Sequence, residues 1–360
     1  MTIKASEKAI IRAEAVSAEK LGKLTDKQLL LIYENRWFHL LVPKAVGGME
    51  MDLPQFARLM EELATVDGSF AWNVNLGAGA NMFAGFMDPA FAANLFKSEK
   101  TCVAGSGAVS GTAISDRNGY IISGTWKYAS GSAHANLFSL NAKLVGDSEG
   151  RYASFLVPAS DVTILDTWNV FGMKATSSCD FIVKDVWVSD KYLFDLQSVS
   201  STMPTTLYRF PFMFLAEINM LVMVTGLAIR FSELIKEMAA KKLLKDGKQD
   251  TTVYLIDHPE FIHSINEVES SFTEKRKSTF DLLDKIWHHV DTDVPVSDCL
   301  NADFSNSVAE TAEASRKLVE TLYPYAGMAV VFEDSEICRV YRDFKVASQH
   351  GILSPAARIR

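Results

Sequence analysis

Gly124-Thr125-Trp126-Lys127-Tyr128-Ala129-Ser130-Gly131 closes one arm of a β-hairpin and then turns abruptly into small residues. Trp126 and Tyr128 stand two apart, so a regular strand projects both from one face. Ala129, Ser130, Gly131 and Ser132 follow with little bulk and two hydroxyls. An aromatic shelf beside such a turn suits a flat heterocycle, stacked on one side and hydrogen-bonded at its edge. Core packing of two sheet aromatics would produce the same pattern.

Working outward, Asn118-Gly119 separates Gly111-Thr112-Ala113-Ile114-Ser115-Asp116 from Tyr120-Ile121-Ile122-Ser123-Gly124. That arrangement predicts a hairpin with positive φ at both turn positions. Further strands are expected over Leu137 to Val145, Tyr152 to Val157, Val162 to Trp168 and Asp180 to Val188, evenly spaced as in a compact antiparallel sheet or barrel. On either side the period is helical. Leu53, Phe56, Leu59, Met60, Leu63 and Val66 form one apolar stripe, and Asp67 or Ser69 can cap the helix after it. Phe261, Ile265, Val268 and Phe272, continued by Phe280, Leu283 and Trp287, form another, with a break near Asp291 to Asp298. The chain thus divides into an N-terminal α-helical domain (residues 1–100), a middle β domain (residues 101–195) and a C-terminal helical bundle (residues 196–360), an α+β class.

With 48% hydrophobic and 22% charged residues, the composition is that of an ordinary globular protein. A net charge of −8 excludes a basic stripe for nucleic acid. Cys102, Cys179, Cys299 and Cys338 form no CxxC pair, which fits a reducing compartment, and the opening residues carry no apolar signal core. A cytoplasmic location is expected. The apolar run Phe210 to Ile229 is long enough for a membrane span, but Glu217 and Asn219 near its centre point to a helix buried in a bundle. No histidine shows metal-ligand spacing, so no metal is expected.

Collinear segments carry a resemblance: Val42-Pro43 with Gly47-Gly48, Glu61-Glu62-Leu63-Ala64 with Asp67-Gly68-Ser69, the run from Gly119 to Gly131, Gly172-Met173-Lys174-Ala175-Thr176-Ser177, Asp185-Val186-Trp187-Val188, and Arg342-Asp343. In this order they resemble the acyl-CoA dehydrogenase superfamily of flavoproteins. The resemblance implies an acyl-CoA dehydrogenase-like fold with an N-terminal helical domain, a middle antiparallel β domain and a C-terminal four-helix bundle. It also implies a flavin, FAD or FMN, whose ring is lined by Trp126, Tyr128, Ala129 and Ser130, with Gly105, Ser106, Gly111 and Thr112 opposite. Trp72, Asn73, Phe210 and Phe212 are expected to shape an apolar substrate pocket, and a homotetramer is the superfamily's usual assembly.

Two chemistries remain open under that resemblance. Where many dehydrogenases carry their base after Arg-Asp, this chain has Gly351 preceded by His350. Lys241-Lys242-Leu243-Leu244-Lys245 stands where the Arg-x-x-Phe-Gly grip on the FAD pyrophosphate would be, and Tyr325-Ala326-Gly327-Met328-Ala329 replaces a Gly-Gly-x-Gly turn. These departures, with a His after Arg-Asp, look more like two-component flavin monooxygenases of the hydroxyphenylacetate hydroxylase type, which take reduced flavin from a separate reductase. His350 would then be the catalytic residue, with an ordinary imidazole pKa suited to neutral pH, and His134 the second candidate. The alternative is an acyl-CoA dehydrogenase with Glu217 as base, its pKa raised by burial or its charge paired with Arg209 or Arg342. A flavin-fold binding protein without turnover is the third possibility.

Overall fold

The computed structural model describes residues 2–196, 203–246 and 251–355. Thr202, where the C-terminal helical pattern opens in the sequence, lies outside them. Helices α1 (Ala5–Leu21), α2 (Asp26–Glu34), α3 (Leu53–Val66), α4 (Gly68–Asn81) and α5 (Pro89–Leu95) precede the sheet. Asp67 separates α3 from α4, and its carboxylate accepts the Phe70 N–H at 2.8 Å, so Asp67 is the cap. Ser69, the other candidate, is already inside α4.

The sheet holds β1 (Val103–Asp116), β2 (Gly119–Ala129), β3 (Leu137–Leu144), β4 (Tyr152–Pro158), β5 (Thr163–Leu165), β6 (Cys179–Ser189) and β7 (Leu193–Phe194), in the order β5-β6-β2-β1-β3-β4-β7. It is not wholly antiparallel. β3 runs parallel to β1, pairing Val103 with Leu137, because β2 is already held between β1 and β6. The chain leaving β2 therefore crosses the start of β1, where Cys102 O accepts from Asn136 N and Leu137 N, and restarts in the direction of β1. The hairpin turn also differs from its expected form. Its central residues are Arg117 and Asn118, and only Arg117 has positive φ, at 53°. Gly119 is needed for room instead: a Cβ there would stand 2.4 Å from Val188 O.

After the sheet come α6 (Thr206–Arg209), α7 (Phe212–Ala239), a hairpin of β8 (Leu243–Asp246) with β9 (Thr251–Tyr254), α8 (Pro259–Asp291), α9 (Asp298–Leu322) and α10 (Glu336–Ala347). The hairpin interrupts a region that reads as wholly helical in sequence. α8 buries Phe261, Ile265, Val268, Phe272, Phe280 and Leu283 along one side, and α9 packs along it. The apolar helix α7 meets the length and composition of a membrane span, yet 67% of its most apolar window is buried among α3, α9 and α10.

Helix α10 ties the two halves together through the Arg342-Asp343 pair. Asp343 accepts the Met173 N–H at 2.5 Å, while Arg342 pairs with Glu19 on α1 and donates to Phe171 O at 3.0 Å. Burial, reinforced by nearby Asp67, pushes the Asp343 carboxyl up to about 8. Two glycines permit the approach. A Cβ on Gly68 would lie 3.2 Å from Asp343 Oδ2, and one on Gly172 would lie 2.2 Å from Arg342 O. Because that second contact is backbone on both sides, Gly172→Ala should destabilise the protein by about 1–3 kcal/mol. Urea unfolding checks this, and a variant as stable as the wild type would show that α10 is not held this closely.

Candidate active site

The small residues after β2 face α4 and the segment from Gly172 to Ser178, and the contact is built from hydroxyls. Trp72 Nε1, on α4, donates to Ser130 Oγ at 3.0 Å. Ser130 Oγ lies 2.7 Å from Ser178 Oγ, and Ser178 Oγ lies 2.7 Å from Thr176 Oγ1. Thr176 Oγ1 is also 2.7 Å from Met173 O, a carbonyl that can only accept. That last bond uses the one proton of Thr176 and so directs the whole chain. Ser178 must donate to Thr176, Ser130 must donate to Ser178, and Trp72 donates to Ser130. Ser130 Oγ is left with no proton to give and one lone pair to offer.

Backbone strain sets this geometry. Tyr128, Met173 and Ser177 adopt φ of 66°, 55° and 45°, an uncommon region for non-glycine residues that requires support from surrounding structure. At Tyr128 the cause is a bulge. β2 pairs Trp126 with Phe181 and Ala129 with Cys179, so β2 spends one more residue than β6 over that interval. Alternation fails at this point, and Trp126 and Tyr128 do not share a face. Trp126 is 0% exposed, stacked on Phe181 and donating Nε1 to Asn141 O at 2.9 Å. Tyr128 is 66% exposed. The expected two-ring shelf is therefore divided: Trp126 and Ala129 belong to the sheet core, and Tyr128 stands at the surface near Trp168.

His350 does meet the hydroxyl cluster's helix. Its ring lies edge-on to Trp72, centroids 6.0 Å apart, just beyond the end of α10. Burial lowers its pKa below the ordinary histidine value, which corrects the expectation of an unperturbed imidazole. At pH 7 it is neutral, and Nδ1 accepts the Ile352 N–H at 3.4 Å, which leaves the proton on Nε2.

Other expected site residues lie elsewhere. Glu217 accepts from Ser305 Oγ on α9 at 2.8 Å, while the two arginines expected to pair with it hold other carboxylates, Arg209 with Asp293 and Arg342 with Glu19. Asn219, two positions on, faces α4, and two helical residues turn by about 200°. Glu217 is thus directed away from Trp72. Phe210 packs on Trp287 of α8, centroids 5.8 Å apart, whereas Phe212 reaches Phe83 at the far end of α4 at 6.4 Å. Gly105 is pressed against Ser139, Ser106 sits in a bulge of β1, and Gly111 leaves room for the Trp126 indole. Thr112 is an exposed residue opposite Ser123. Asn73 ties α4 to the site loop, its Nδ2 donating to Ser69 O at 2.9 Å and Ala175 O at 3.1 Å. Thr176 and Ser178 were not singled out in the sequence; the run of hydroxyls after Gly172-Met173 was their only signal.

The C-terminal residues 220–355 match the family described as "Acyl-CoA dehydrogenase, C-terminal domain". Similarity runs over nearly the whole chain with a pigment production hydroxylase of Rhodococcus erythropolis, at 24% identity over 96% of this chain and 90% of the relative. An indole-3-acetate monooxygenase of Pseudomonas putida is 24% identical over 88% of this chain and 80% of its own. The fold superposes with TM-score 0.86 on XiaF from a Streptomyces species in complex with FADH2 and glycerol, at 22% identity, covering 97% of this chain and 90% of that one. The fold is thus acyl-CoA dehydrogenase-like, and residues 220–355 match that family's C-terminal domain.

In this acyl-CoA dehydrogenase-like fold, His134 is set apart from the hydroxyl chain. Its ring stacks on Phe38 with an interplanar angle of 8°, and its buried Nε2 has no partner among the described residues. Burial lowers its pKa to about 4. Unfolded histidine binds a proton near 6.5, so the unfolded state takes up protons first as the pH falls, and folding stability is lost from about 6.5 down to about 4. That loss amounts to roughly 3 kcal/mol from this group. His134→Phe should flatten thermal-melt midpoints between pH 7 and pH 4.5, and an unchanged acid profile would remove His134 as the cause.

Proposed function

We propose that this protein is the oxygenase component of a two-component system, a reduced-flavin-dependent monooxygenase acting on a small aromatic substrate. The observation that carries this is the direction of the hydroxyl chain. Ser130 Oγ offers an acceptor and no donor, and the central ring of a flavin carries an N–H donor only when reduced. The residues present fit such a group: a hydroxyl acceptor, low bulk at Ala129 to Ser132 and the edge of Trp72 beside a neutral histidine. Relatives named as a hydroxylase and an indole-3-acetate monooxygenase support the same reading.

Bound reduced flavin supplies two electrons to O2, of which one oxygen atom enters the substrate and the other leaves as water. The protein's part is positional. Ser130 is fixed by Trp72 and Ser178, and His350, uncharged and carrying its proton on Nε2, can donate a hydrogen bond from the Trp72 side. Glu217, bonded to Ser305 on α9, gives no support to dehydrogenation with that residue as base. Exposed Phe171, Met328, Val331 and Phe332 support a homotetrameric assembly, a separate reductase is the partner that this chemistry requires, and four free cysteines support a cytoplasmic location.

Ser178→Ala removes the acceptor that takes the Ser130 proton, so Ser130 becomes able to donate to an oxidised flavin. The ratio of oxidised to reduced flavin dissociation constants, for FMN and FAD under anaerobic conditions, should fall by about tenfold. An unchanged ratio would reject the directed chain. His350→Ala should lower product per reduced flavin consumed and raise hydrogen peroxide release; unchanged coupling would remove His350 from the chemistry.

A further inference from the structure

Helix α4 is buried along most of its length except for Leu76, Gly79 and Ala80, and just beyond its end Phe83 continues the same partly open strip. These positions fall four, seven, eight and eleven residues after Trp72, which places them on one side of the helix in line with that ring. The opposite wall comes from the first turns of α7. Phe212 approaches Phe83, and the Asn219 amide Nδ2 lies 3.6 Å from where a Cβ on Gly79 would be. Phe83 is also stacked on Phe194, centroids 4.4 Å apart, which closes the far end with aromatic rings. The strip therefore runs from Trp72 and His350, past Gly79 and Asn219, to Phe83 and Phe212.

Asn219 is out of place there unless something binds it. It is 4% exposed on the most apolar helix of the chain, and its Oδ1 has no hydrogen-bond partner among the described residues. The neighbouring Asn75 donates its Nδ2 to the Asn219 backbone carbonyl at 2.9 Å, so it does not satisfy the Asn219 side chain. An unpaired buried amide costs about 1–3 kcal/mol, a burden a structural position would shed by becoming leucine. Gly79 opposite it carries no positive φ and meets nothing else within 4 Å, so the missing side chain opens space in front of the amide and serves no backbone need.

We propose that Asn219 is the specificity-determining residue of the substrate site. It hydrogen-bonds the polar group of a flat aromatic substrate that lies along the α4 strip with its reacting edge toward Trp72. Gly79 stands seven residues from Trp72, about 10 Å along the helix, so the bonded group sits at the end of the ring system remote from the oxidised carbon. A phenol or carbonyl oxygen on a bicyclic aromatic has the required length and is the acceptor that Asn219 Nδ2, the amide atom facing Gly79, calls for. This assignment rests on the monooxygenase reading and adds a residue and a substrate class to it.

The test is a titration of wild type, Asn219→Leu and Gly79→Ala with 2-naphthol and with naphthalene, which lacks the oxygen, anaerobically and with reduced FMN present, while reduced FMN affinity is measured on the same preparations. Wild type should bind 2-naphthol roughly five- to tenfold more tightly than naphthalene, and Asn219→Leu should lose that preference. Gly79→Ala fits without strain, so its melting temperature should rise through better helix propensity while 2-naphthol binding weakens. A wild type with no preference, or a preference retained in Asn219→Leu, overturns the assignment; the latter is the result expected if the amide merely holds a buried water beside Asn75. Should Asn219→Leu fail to fold, undiminished 2-naphthol binding by Gly79→Ala overturns it alone. Failure of wild type to bind reduced FMN would instead strike the monooxygenase reading, and the two failures are read from separate titrations.

Discussion

The hydrogen bond from Met173 N to the buried Asp343 carboxyl is the contact on which the site depends. It joins α10 to the segment that supplies Met173 O, Thr176 and Ser178, and Gly68 and Gly172 are the two positions where a side chain would prevent the approach. Asp343 is held in an environment that favours its protonated form, with Asp67 nearby and Arg339 reaching Asp67 at 3.7 Å. The Arg-Asp pair that resembles a catalytic landmark is thus an anchor. The residue it positions, His350, lies just past the same helix, against Trp72.

From that anchor a single polarity propagates. Met173 O accepts from Thr176, and every hydroxyl upstream is forced to donate in turn until Trp72 closes the chain. A carbonyl that cannot donate therefore decides what Ser130 can offer, three groups away. Positive φ at Tyr128, Met173 and Ser177 marks the places where the backbone yields to this arrangement, as expected where a site is built at the expense of local conformational preference.

Polar groups buried without partners separate structural from functional candidates. Among the described residues His134 Nε2 and Asn73 Oδ1 have no partner, and they lie 3.2 and 3.5 Å from the position a Cβ on Gly131 would take. The Asn219 amide, its Oδ1 without a partner among the described residues, turns Nδ2 toward the partly open strip of α4, where a ligand has an approach. Equal burial therefore carries different meaning according to what borders the group.

Much of the architecture was legible because it rests on local periodicity. The stripes from Leu53 to Val66 and from Phe261 to Trp287 became α3 and α8, the break near Asp291 to Asp298 separated α8 from α9, and the alternating runs became strands, close to their expected bounds except for Val162 to Trp168, of which only Thr163–Leu165 is strand. The parallel pairing of β1 with β3 was not legible, because strand direction depends on which edge is already occupied. The same limit applied to the aromatic pair. Two residues' spacing assigns Trp126 and Tyr128 to one face, and only the register against β6 reveals the extra residue that sends one inward and the other outward. Sequence by itself determined the order of helices and strands and the low-bulk hydroxyl turn at Ser130. The tertiary structure decided which hydroxyls joined it, which carboxylate was an anchor and which way each proton points, because those follow from contacts between segments far apart in the chain.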